Sequence, residues 1–124
     1  MIERLIHSLQ ALAAPADVQL ARFPDFAAKA DELALDYADA LRLAADCPQV
    51  LLEPGQRHAL DRLDGYLDRM SGAANAALWT EGAVRSSPEW EEVRALARAG
   101  LAALGAADDL PPPGGAVYAR GRPT

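Results

Sequence analysis

The chain is short of the residues that usually advertise chemistry. Its 124 positions include one cysteine and two histidines, and aromatics make up 6%. A lone Cys47 forms no internal disulfide, so no disulfide framework holds the fold. It precedes Pro48 at an expected helix end, with no base or polarising group near it in sequence. That context reads as a structural thiol rather than a nucleophile. His7 and His58 are isolated from any second histidine or cysteine at ligand spacing, which argues against a metal site. A di-iron bundle would also want Glu-x-x-His pairs on facing helices, and neither histidine has that context. No Gly-x-Ser-x-Gly elbow, phosphate-cradling glycine loop or dinucleotide fingerprint is present. No catalytic residue and no cofactor is therefore assigned. No apolar run approaches the ~18 residues of a membrane-spanning helix. Met1-Ile2-Glu3-Arg4 does not open a secretory signal, so the expected location is cytoplasmic, without a membrane partner.

Positive charge is scarce as well. The net charge is −6, and Lys29 is the single lysine among 12 basic residues. Nucleic-acid binding needs a basic face to displace counterions from phosphate. Here Arg57, Arg62 and Arg69 are interleaved with Asp61, Asp64 and Asp68, so no helix offers one. The arginine and alanine excess reads as the coding bias of a GC-rich bacterial genome.

What the chain does have is alanine and leucine, which lose little side-chain freedom in a helix. The β-branched and aromatic mixture of strands is thin. Apolar residues recur at helical spacing in four long segments. Ile2, Leu5, Ile6, Leu9 and Leu12 or Ala13 mark the first, with Glu3, Arg4, His7 and Gln10 on its other side; Pro15 ends it. A helix of one or two turns follows over 16–22. Pro24 then breaks the chain, and Asp25 is placed to cap a helix over about 26–46. Its buried stripe is Phe26, Ala30, Leu33, Ala34, Tyr37, Leu41 and Ala44. Val50-Leu51-Leu52 is expected to be a packed connector. Leu60, Leu63, Leu67 and Met70 define a helix from about Pro54, with Gly65 marking a close helix approach and Gly72 a C-terminal cap. Short helical pieces span 73–85. Ser87-Pro88-Glu89 is a strong helix start, and Trp90, Val93, Ala97, Leu101 and Leu104 carry that helix to Gly105. The expectation is an all-α, single-domain antiparallel bundle over 1–105, with four main helices and one or two short ones. A Pro/Gly-rich extended tail is expected over 106–124, with its Val117 and Tyr118 available to dock on the helical body. No internal repeat is visible.

The clearest candidate for function is acidic. Residues 25–46 hold Asp25, Asp31, Glu32, Asp36, Asp39 and Asp46 against Lys29 and Arg42. Glu32, Asp36 and Asp39 lie four and three apart and share one helix face, where like charges repel by a few tenths of a kcal/mol per pair. That face is either simply solvated or a docking surface for a basic protein. Trp79 lies in a poorly patterned stretch. It is a core aromatic or a partner anchor, since tryptophan is frequent among interface hot spots.

Phe23-Pro24-Asp25-Phe26, Ala30-Asp31-Glu32-Leu33-Ala34-Leu35-Asp36, Leu78-Trp79 and Trp90-Glu91-Glu92-Val93-Arg94 together resemble a group of short, uncharacterised helical bacterial proteins over residues 20–104. The resemblance implies a free-standing bacterial domain and transfers no activity or site. The leading expectation is a small acidic protein-binding module. Its concrete form is an immunity- or antitoxin-like inhibitor that covers a basic partner with Glu32, Asp36, Asp39 and Trp79. Two alternatives stay open. One is a helical ligand-binding protein or enzyme with Asp36, Tyr37 and His58 converging on an inter-helix pocket; the other is a self-associating structural module.

Overall fold

The structure, a computed structural model, describes residues 2–23, 28–48 and 50–106. It is all-α, with no strand among the described residues. Four long helices, α1 (Ile2–Ala13), α3 (Lys29–Asp46), α4 (Pro54–Met70) and α6 (Pro88–Leu104), carry the core. Two short ones, α2 (Ala16–Ala21) and α5 (Glu81–Ser86), and a 3₁₀ segment (Ala73–Trp79) connect them. The expected Asp25 cap, the place of Phe26 in the core stripe and the tail beyond Ala106 all lie outside the described residues.

The helix starts follow from local hydrogen-bond accounting. The first turn of a helix leaves backbone N–H groups without partners, and a nearby side chain supplies them. Ser87 Oγ accepts from Trp90 N–H at 3.2 Å, and Thr80 Oγ1 accepts from Ala83 N–H at 3.1 Å. At α4, Gln56 Oε1 accepts from Glu53 N–H at 2.9 Å, half of a capping box. Helix α6 ends in a Schellman motif. Gly105 is left-handed (φ 70°, ψ 27°), and the Gly105 and Ala106 amides donate to Ala102 and Leu101 carbonyls.

Helix α1 packs on both α3 and α6, and α6 packs on α4; the seam between α3 and α4 is much sparser. Leu5, Leu9 and Leu12 meet Leu33, Tyr37 and Leu41 on one side and Val93, Ala97 and Leu101 on the other. Leu60, Leu63, Leu67 and Met70 close the core from α4. Among the described residues the expected stripes are buried, except that Ile2, Ile6, Ala34 and Leu104 are only partly covered. Across the seam, the Tyr37 hydroxyl donates to the Leu60 carbonyl at 2.8 Å.

Three expectations need correction. Gln10, placed on the polar side of α1, is buried, because α1 is enclosed from both flanks after its first turns. Gly65 makes no close helix approach: an added Cβ would meet only the Arg69 guanidinium, at 3.8 Å. The close approach is at Gly100 instead, where a Cβ would stand 3.3 Å from Leu9 Cδ2 and 3.5 Å from Leu60 Cδ2. Gly72 is not the cap of α4, which Ser71 ends in extended conformation. Gly72 turns the chain with φ 102° and ψ 159°, which an L side chain rarely tolerates.

A buried polar network joins Gln19 and Arg94 inside the core. Gln19, fully buried, donates from Nε2 to the Ala11 and Leu12 carbonyls at 3.1 and 2.9 Å. These are last-turn carbonyls of α1; the Ala11 carbonyl also accepts from Ala14 N–H at 3.4 Å. Arg94, 5% exposed, completes it: Nη1 donates to Gln19 Oε1 and to the Val84 carbonyl, and Nη2 to Glu91 Oε1 at 2.7 Å. The Arg94 guanidinium thus joins α2, α5 and α6, and the Gln19 amide carries the link on to α1.

Candidate functional site, an acid-rimmed groove beside α3

The site begins with how α4 ends. Its last carbonyls need donors, and the 3₁₀ segment supplies them. Asn75 Nδ2 donates to the Arg69 and Ser71 carbonyls at 3.1 Å each, and Trp79 Nε1 donates to the Met70 carbonyl at 2.8 Å. Trp90, buried in α6, donates from Nε1 to the Leu78 carbonyl at 2.6 Å and meets Trp79 edge-on. The ring centroids are 5.6 Å apart at 84°. The two indoles therefore staple the segment across the ends of α4 and α6. Trp79 is left half-buried, its donor already used.

Beside it the sparse α3–α4 seam opens into a groove of about 650 Å³ lined by Asp31, Ala34, Leu35, Ser71, Gly72, Ala76 and Trp79. A smaller hollow of about 170 Å³ continues it, adding Ala38, Asp64, Leu67 and Asp68. The floor is alanine, leucine and indole. The rim is Asp31 from α3 and Asp64 and Asp68 from α4. None of the three carboxylates forms an ion pair among the described residues. Burial, and then the negative charges of Asp68 and Asp61, push the Asp64 carboxyl above its ordinary value; Arg57 partly offsets them.

Leu35 is the unusual member. It is 56% exposed, and it and Leu51 are the large apolar side chains exposed among the described residues. With 3.6 residues per turn, Leu35 falls opposite the buried stripe of Leu33, Tyr37, Ala40 and Ala44. It sits at the crest of α3, with Asp31 and Ala38 toward the groove and Glu32 and Asp36 toward α1.

The acids grouped by spacing have different surroundings. Glu32 is partly covered. Asp36 is exposed and lines a separate cleft of about 180 Å³ with Arg4, His7, Ser8, Ala11 and Arg22. Asp39 is bonded to Arg42 at 2.8 Å. The tertiary fold thus brings two arginines from α1 and its neighbour to the acidic face, which counting along α3 alone missed. Trp79 joins the groove rather than the Glu32–Asp39 line. Asp31, Leu35, Asp64 and Asp68 were not singled out as binding residues. Their alternation with buried leucines was the available signal, but nothing in it said which faces of α3 and α4 meet.

The residues of the alternative pocket do not converge. The Tyr37 hydroxyl is spent on the Leu60 carbonyl in the core, and burial raises its pKa well above the usual phenol value. Asp36 and His58 are exposed on different helices. Among the described residues, no three His, Cys, Asp or Glu side chains are placed to hold a metal ion. No helix is long and apolar enough to cross a membrane there either. Cys47 is free and half-buried. No family model, curated protein or solved structure matches the chain.

Proposed function

We propose that the chain is a protein-binding module that presents α3 to a basic partner, in the concrete form of an immunity- or antitoxin-like inhibitor. One observation carries the reading: a solvent-exposed leucine and a half-buried tryptophan share a groove rimmed by carboxylates. An apolar patch framed by polar groups is the usual form of an interaction site. Carboxylates around it steer and select a basic surface more than they add raw affinity. Glu32, Asp36 and Asp39 add carboxylates on the other flank of α3, where Arg42 pairs with Asp39 and Arg4 and Arg22 line the cleft beside Asp36. An inhibitor acting this way covers its target by surface complementarity and needs no chemistry of its own.

The test is affinity capture by the full chain from the cells that encode it, at low and high salt. The wild type is compared with a triple variant, Glu32→Gln, Asp36→Asn and Asp39→Asn. A basic protein held at low salt and lost at high salt, and weakened about tenfold by the triple variant, is the expected outcome. Retention that neither salt nor the variant disturbs, or sedimentation showing that the chain captures only itself, overturns the reading.

A further inference from the structure

We infer that the α3–α4 groove takes an arginine-bearing polypeptide segment of the partner. Its guanidinium lies among Asp31, Asp64 and Asp68, and an adjacent apolar side chain rests on Leu35 and Trp79. The inference rests on the protein-binding reading and narrows it to one chemistry.

Charge is the first reason. Among the described residues, the groove lining contains carboxylates and no basic side chain. The nearby cations are engaged elsewhere: Arg57 pairs with Asp61 at 3.1 Å, the Arg69 guanidinium lies over the Tyr66 ring at 5.5 Å, and Lys29 approaches Glu81 at 4.0 Å. The second reason is Trp79. Its N–H is committed to Met70 and its ring is braced by Trp90, so what it offers the groove is fixed aromatic carbon. A planar guanidinium stacks on such a surface while forking to carboxylates; an ammonium is more tightly hydrated and does neither as well. The third is Leu35, whose exposed methyl groups give a neighbouring apolar side chain something to bury against. At about 650 Å³ the groove admits a few side chains and not a folded domain edge.

The experiment is amide NMR on the full chain, titrated with a blocked amphipathic peptide of leucine, alanine and arginine, and with its lysine and glutamate twins. The arginine peptide is expected to shift the amides of Leu35, Ala38, Ser71 and Gly72 and the Trp79 indole proton. It should bind about fivefold more tightly than the lysine twin, and the glutamate twin should not bind. Leu35→Ser, on an exposed position that leaves the core intact, is expected to weaken the arginine peptide about tenfold without moving the melting midpoint. Equal affinity for arginine and lysine, shifts centred on His7, Asp36 and Asp39, or no shifts at all overturns the inference. If those results came while the Glu32/Asp36/Asp39 variant still lost a captured basic protein, the groove assignment would fall and the protein-binding reading would stand. An intact arginine-selective groove map with salt-indifferent capture would remove the broader reading instead.

Discussion

Arg94 is the residue on which the interior depends most. It is a buried cation that no apolar pattern in α6 explains, and it survives burial because each of its three guanidinium nitrogens finds an acceptor. Removing it strands the Gln19 side-chain oxygen and the Val84 carbonyl inside the protein. Arg94→Met is therefore expected to destabilise the fold by about 2 kcal/mol, the cost of buried acceptors left without donors. Urea unfolding with an unchanged m-value measures it. A loss no larger than a surface substitution produces would mean that water replaces the guanidinium freely. Glu91 adds little to this total, because its own side chain is largely solvated.

For whole helices, Gly65 in α4 and Gly100 in α6 make opposite cases. Gly65 has no neighbour within reach except a flexible arginine tip. It pays the backbone-entropy cost of glycine without a packing reason. Gly65→Ala is expected to raise stability by about 0.5–1 kcal/mol. Gly100 lies where α6 presses on Leu9 and Leu60, both fully buried and unable to move aside. There the methyl group overpacks, and Gly100→Ala is expected to lower stability by about 1 kcal/mol despite the better helix propensity. Thermal unfolding of the two variants side by side decides it. If both shift the midpoint in the same direction, the assignment of the close approach to Gly100 is wrong.

Across the whole molecule, 18 acidic side chains face 12 basic ones, and three of the acids, Asp31, Asp64 and Asp68, rim the groove beside α3. Asp64 reports on it. Its folded pKa is raised, first by burial and then by Asp68 and Asp61. A raised pKa means that the native state holds the proton more tightly than the unfolded chain does. The stabilisation is thus fully present below the ordinary aspartate value of 3.8 and is lost as pH rises through the folded pKa. At neutral pH the ionised group opposes its neighbours. Asp64→Asn is expected to raise the melting midpoint at pH 7, by less in high salt, and to leave it unchanged below pH 3.8. A variant that destabilises equally at both pH values would show that Asp64 makes a specific native contact instead of meeting repulsion.

Much of the fold could be read directly along the chain. Helical periodicity is local, so α1 begins and ends where its apolar spacing and Pro15 place it, and Leu60, Leu63, Leu67 and Met70 are buried together as expected. Ser87-Pro88 starts α6 for the same reason: a cap is satisfied within one turn. What tertiary packing alone decided was which faces meet. Glycine at 65 and glycine at 100 look alike in sequence, and only the approach of α1 and α4 separates them. Gln19 and Arg94 are 75 residues apart and share a hydrogen bond. Asp31, Leu35, Asp68 and Trp79 come from three segments and line one groove because α3 and α4 pack sparsely while Trp79 closes the end of α4. Spacing along one helix fixes its own faces; contacts between helices fix what those faces become.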